Sequence, residues 1–259
     1  MKMEEILKQI ARNTRPKSSF QFIVSGNTTE FTTKFNPPIT LGSDSGYEVA
    51  LVNLETYYSF PNINSTNNVF RYSIDRGSTW NVIRINTGSY EIEDLNKEIQ
   101  LQMKLKGHYD RVNNHYYITI SAKESTLRTV LEINNSNYRV DFSVSNSVRT
   151  VLGFNARAYS EGYHESENIV NILTLNSILV EIDIINGSYV NGRQEPVIYS
   201  FFPNVAQGYK IVETPLNLVY LPVCGSNISS LTVKLKDQDG NLLDLRGETI
   251  TIRFHRREL

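Results

Sequence analysis

Apolar and polar residues alternate with period two along most of this chain, and the alternation predicts strands. Phe20, Phe22 and Val24 share one face, Gly26-Asn27 reads as a turn, and residues 30–35 resume the pattern. Pro37-Pro38 is expected to end that second strand, because neither proline can donate to a ladder. Residues 47–54 are apolar almost throughout, which predicts a strand buried on both faces. The clearest signal lies near the end of the chain. Leu231, Val233 and Leu235 fall on one face of residues 230–236, and Ile250, Ile252 and Phe254 on one face of residues 249–254. Between them stands the turn cluster Asp237-Gln238-Asp239-Gly240-Asn241. Residues 228–254 therefore predict one β-hairpin, its apolar face in the core and its polar face toward solvent or a neighbouring subunit.

The middle of the chain has a different rhythm. Residues 69–74 and 80–85 predict a hairpin about Arg76-Gly77-Ser78. Ile92, Leu95, Ile99 and Met103 then recur at helical spacing over residues 92–106, with Gly107 just past the end. Strands are predicted at 116–120, 129–133 and 138–144, and Ser145 or Ser147 can cap a short turn running to Leu152-Gly153-Phe154. One helix among several strands predicts a compact α+β insertion. The polar, acidic residues 159–168 read as a return linker. Further strands follow at 177–185, 196–202, 208–213 and 216–223. Without the insertion the strands number about eight, which suits a jelly roll or another two-sheet sandwich. The predicted fold is mainly β, a single jelly-roll β-sandwich with an inserted small α+β domain. Its parts are an N-terminal arm (1–19), the first part of the roll (20–68), the insertion (69–168) and the second part of the roll (169–259).

Within the arm, Met3, Ile6, Leu7 and Ile10 form an apolar stripe at helical spacing, followed by Arg12, Arg15 and Lys17. The stripe reads either as a frayed end or as a subunit-contact arm. In the second case the three cations would meet nucleic acid or an acidic surface.

Composition narrows the function. With 26 basic and 27 acidic residues the formal charge is -1, which argues against a uniformly basic nucleic-acid binder. The single cysteine, Cys224, permits neither an intrachain disulfide framework nor a cysteine zinc site. No apolar run reaches membrane-span length, and no secretion signal opens the chain.

Catalytic patterns are equally scarce. There is no phosphate-binding loop, nucleophile elbow, metalloprotease helix or dinucleotide fingerprint. His108, His115, His164 and His255 are scattered, and packing or surface roles are expected for them. Asp237, Asp239, Asn241 and Glu248 mimic calcium-loop spacing, but glycine stands at the fourth position instead of the sixth and strands flank the loop. A turn is expected there. Cys224, beside an apolar run, is expected to be a buried structural thiol. Asp183, set in an apolar strand, is expected at an edge or in a hydrogen-bonded position. No enzyme activity, cofactor or metal is predicted.

The succession of motifs adds a resemblance. It runs from residues 20–35 through Tyr47-Glu48-Val49-Ala50-Leu51 and the insertion ending Leu152-Gly153-Phe154. It continues with Ile182-Asp183-Ile184-Ile185-Asn186-Gly187-Ser188-Tyr189, Pro222-Val223 and residues 235–241 and 247–252. In this order the chain resembles the minor capsid (penton) proteins of Polinton/Maverick-type elements, adintoviruses and virophages. The resemblance implies a jelly-roll subunit that forms homopentamers at the fivefold vertices of an icosahedral virion. It implies synthesis in the host cytoplasm, contact with a major capsid protein, and contact with packaged DNA through the arm. Two other classes compete with it: a trimeric major capsid or fibre-like subunit, and a receptor- or carbohydrate-binding β-sandwich using Tyr57, Tyr58, Tyr159 and Tyr163.

Overall fold

The computed structural model describes residues 18–42, 46–172 and 175–259. It divides into two compact units, one holding the described residues of Met1–Ser59 and Leu175–Leu259, the other those of Phe60–Thr174. In chain order the first unit contributes β1 (Ser19–Gly26), β2 (Glu30–Thr40) and β3 (Tyr47–Tyr57). The second contains β4 (Val69–Ser73), β5 (Asn81–Arg84), α1 (Ile92–Leu105), β6 (Ile118–Lys123) and β7 (Arg128–Ile133). It continues with β8 (Arg139–Asp141), α2 (Arg149–Leu152), β9 (Ala158–Tyr159) and β10 (Gly162–Glu165). The first unit then resumes with β11 (Ile178–Ile182), β12 (Ser188–Val190), β13 (Arg193–Glu195) and β14 (Val197–Phe201). It closes with β15 (Lys210–Glu213), β16 (Leu221–Pro222), β17 (Asn227–Lys236) and β18 (Ile250–Glu258).

The first unit is a jelly roll. Its sheets run β1-β18-β3-β15 and β14-β11-β17-β2. Setting aside the short β12, β13 and β16, first strand pairs with last (β1 with β18) and second with second-last (β2 with β17). The nesting continues inward with β3 on β15 and β11 on β14. Such nested antiparallel pairing is one long ribbon, rolled until β18 also meets β3 and β17 meets β11.

The roll corrects the predicted closing hairpin. β17 and β18 both form, but they belong to opposite sheets and do not pair. The chain turns back at Asp237, pairs briefly through the Lys236–Leu242 bridge and the Leu243 to Leu235 backbone bond, then crosses to the other sheet. The two apolar triplets, Leu231/Val233/Leu235 and Ile250/Ile252/Phe254, are fully buried on their respective sheets. Their polar faces are partly covered by the chain itself.

Two further expectations for this unit also change. β2 continues through Pro37 and Pro38 to Thr40. It is an edge strand, where a missing N–H costs no ladder bond, and its register against β17 shifts between Ile228 and Ser230. β3 is not buried on both faces: Glu48, Val52 and Asn53 are only half-buried. Arg253 pairs with Asn53 and Phe254 with Leu51, so Val52 is bulged out of register. The extra residue switches parity and lets Leu54 and Thr56 extend the buried face begun by Val49 and Leu51.

The second unit packs α1 with sheets β10-β7-β6 and β5-β4-β8-β9. The helix buries Ile92, Leu95, Ile99 and Met103, the residues that its spacing placed on one side. Gly107 ends it at φ +75°, a left-handed conformation that glycine adopts without cost. β4 and β5 form the hairpin predicted around Arg76-Gly77-Ser78. Residues 159–168, expected as a linker, are built into the sheets instead: Tyr159 pairs with β8, and β10 pairs with β7. No helix among the described residues is long and apolar enough to cross a membrane.

Candidate assembly interface

The most distinctive surface of the jelly roll begins at its β15 edge. Lys210–Glu213 is the last strand of its sheet, and its backbone pairs on one side with β3. Its polar side chains already have partners within the same chain. Lys210 meets Glu55 at 2.5 Å, and this ion pair holds the Glu55 carboxyl below its usual range. The Tyr199 hydroxyl donates to Glu213 at 2.7 Å; burial, then the carboxylate, push the phenol up to about 12. Apolar side chains also face outward: Phe202 before the strand, Tyr209 and Val212 at it, and Leu216, Leu218 and Val219 after it are all exposed.

The segment after β15 is a strap. Asn53 Nδ2 donates to the Glu213 carbonyl and the Thr214 hydroxyl, both at 3.2 Å, and so holds its start. At its far end the Tyr220 hydroxyl meets His255 Nδ1 at 2.7 Å, and the Arg257 guanidinium lies 3.6 Å from the centre of the Tyr220 ring. Arg257 also forks onto Glu48 at 2.9 and 3.0 Å. These ties cover part of the polar face of β18 and turn Leu216 outward, at 101% relative exposure. Residues 216–223 were expected to be a strand, but pairing is confined to the end of the segment, Leu221–Pro222 with β3 and Val223 in a single bridge to Ile185. Pro215 and Pro222 bracket the segment, and this was the sequence sign that alternation here need not mean burial. At the opposite edge of the same sheet, Phe20 and Ile23 of β1 are also exposed. Contiguous exposed apolar side chains on an open sheet edge are the physical mark of a contact surface.

Met3, Ile6, Leu7, Ile10, Arg12, Arg15 and Lys17 lie outside the described residues. Cys224 is exposed, contrary to the expected buried thiol, because the run before it is strap and not core strand. Asp183 is hydrogen-bonded, its carboxylate accepting from the Thr232 amide at 2.9 Å. The Asp237 carboxylate accepts from the Asp239 and Asn241 amides and from Asn241 Nδ2, the pattern of a turn. Among the described residues no three His, Cys, Asp or Glu side chains converge as a metal site. His108 and His255 each face a tyrosine hydroxyl, and His164 Nε2 faces the Ser160 carbonyl. Of the four tyrosines considered for ligand binding, Tyr57 and Tyr163 are exposed, while Tyr58 and Tyr159 are buried core residues. A cleft of about 300 Å³ lies between the β12–β13 hairpin and the outer face of β11 and β17. Beneath it Glu181 and Lys236 pair at 2.8 Å.

Comparison with known proteins follows the fold and not the sequence. No protein-family model matches the chain, and no curated protein matches it in sequence. Among solved structures it is similar to the mavirus penton protein, with a TM-score of 0.50 at 10% identity, covering 93% of this chain and 100% of that one. At that identity the likeness establishes a shared overall fold and nothing further.

Proposed function

We propose that this chain is a structural capsid subunit, a penton protein that forms homopentamers at the fivefold vertices of an icosahedral shell and performs no catalysis. The observation that carries the proposal is the likeness to the mavirus penton protein over nearly the whole chain. The surface supports it independently. One flank of the roll carries the β15 edge and the strap, and the opposite edge of the same sheet carries Phe20 and Ile23. Contact between unlike flanks of successive copies is heterologous, and a heterologous contact closes into a ring when its rotation divides the circle. Residues 3–10 would then clip to an adjoining subunit, and Arg12, Arg15 and Lys17 would meet packaged DNA or acidic protein. The major capsid protein is the natural partner for the ring's outer contacts.

Native mass spectrometry of the purified chain should give five subunits. A trimer would point instead to a major capsid or fibre-like role. Leu216→Asp combined with Val219→Asp should shift the assembly toward monomer. The melting temperature of the monomer should barely change, since substitutions at exposed positions cost within about 0.5 kcal/mol. Unchanged assembly in that double variant would remove the strap from the contact.

A further inference from the structure

The inserted unit contains a cleft lined by none of the residues assigned to the proposed assembly surface. It has a volume of about 380 Å³ and is walled by α2, the turn after it and residues 168–171. The turn is fixed by Gly153 at φ +81°, where an added Cβ would stand 2.4 Å from the Asn168 carbonyl oxygen. Backbone bonds from Asn168 to Gly153 and from Asn171 to Val151 close the two walls together. The cleft is therefore set by backbone packing and does not depend on side-chain adjustment.

Its lining has one formal charge, that of Arg149, and no Asp or Glu. The Arg149 side chain has no hydrogen-bond or ion-pair partner among the described residues, and its Nε is buried without an acceptor. Glu167, the carboxylate that bonds the rim amide of Asn155, is already saturated. It accepts from Arg157 at 2.6 Å, from the Tyr159 hydroxyl at 2.9 Å and from Asn155 N at 2.9 Å. The side chains of Thr150, Asn155 and Asn171 make no hydrogen bond among the described residues, and Ile169 is exposed beside them.

We infer that this cleft binds a saccharide bearing a single carboxylate. An unpaired guanidinium is a planar fork that matches a carboxylate in two parallel bonds. One cation balances one monoanion, whereas a phosphate dianion would be left half compensated. Two free amides and a hydroxyl offer both donors and acceptors, which suits the hydroxyls of a sugar ring, and the exposed Ile169 supplies an apolar wall for its C–H faces. The inference stands on the geometry of the insertion alone and does not depend on the penton reading.

Saturation-transfer NMR on the full chain would test it with 3′-sialyllactose, with lactose as the neutral control and acetate as the bare carboxylate. Transfer to the sialic acid ring is expected, with none to lactose and at least tenfold weaker competition by acetate. Arg149→Gln should lower affinity at least tenfold, and Arg149→Lys should recover only part of it. If Arg149→Gln does not fold, Asn171→Asp places a repelling charge on the rim without removing any hydrogen bond and should also weaken binding. Equal transfer to lactose, or sialyllactose binding unchanged in either variant, would overturn the proposal. Acetate competing as well as the saccharide would overturn the assignment of a sugar.

Discussion

Single residues matter most where the backbone leaves no room for an alternative. Gly187, between β11 and β12, sits at φ +76°, and a Cβ there would lie 1.9 Å from the Glu195 carbonyl oxygen and 2.4 Å from Pro196 Cα. Both obstacles are backbone, so no side-chain rotation relieves them. Gly187→Ala should destabilise the roll by roughly 2–4 kcal/mol through strain and displacement of the β12–β13 hairpin; a urea melt would measure it. Nothing in the sequence shows that residues eight positions away close over Gly187. Asn62 teaches the same lesson. It is buried and ties Tyr90 and Ile172 through both its amide nitrogen and its oxygen. Its importance appears only when those segments converge, because hydrogen-bond partners distant in sequence leave no local signature.

At the scale of elements, the β4–β5 hairpin carries a titratable switch on its stability. The Asp75 carboxylate accepts from the Thr79 hydroxyl at 2.6 Å, from the Thr79 amide at 2.8 Å and from the Ser73 hydroxyl at 2.7 Å. These bonds, the Thr79 hydroxyl foremost, hold its carboxyl down at about 2. A depressed carboxylate contributes stability above its unfolded value of 3.8 and loses it as pH falls toward 2. Trp80, the chain's one tryptophan, lies just past this turn under the Arg71 guanidinium and reports on it directly. Its fluorescence in urea should show a midpoint that falls between about pH 4 and pH 2. In Asp75→Asn that fall should be shallower; an identical slope would show that other carboxylates govern it. This hairpin and α1 were legible in advance because each is closed by its own neighbours. The β2 and β3 readings changed because tolerance of proline and the parity switch at Val52 are set by the strand alongside.

At the scale of the whole molecule, the proposed arm makes the simplest prediction. Removing residues 1–17 should leave the melting temperature of the roll unchanged and reduce co-assembly with major capsid protein, measured by sedimentation of mixed shells. Full incorporation of the truncated chain would take the arm out of the mechanism. The surface that most resembles an interface was not among the residues the sequence singled out. Leu216, Leu218 and Val219 looked like one more strand, and only the strap's ties to Asn53, His255 and Arg257 turn them outward. Read alone, the sequence showed which face of α1 is apolar and that Leu231, Val233, Leu235, Ile250, Ile252 and Phe254 are core. These follow from period and side-chain chemistry, which are local properties. Tertiary structure alone decided that β17 and β18 lie in opposite sheets. A strand's hydrogen-bonding edges are uniform backbone and name no partner; the partner is set by the rolling of the ribbon that buries both apolar faces at once.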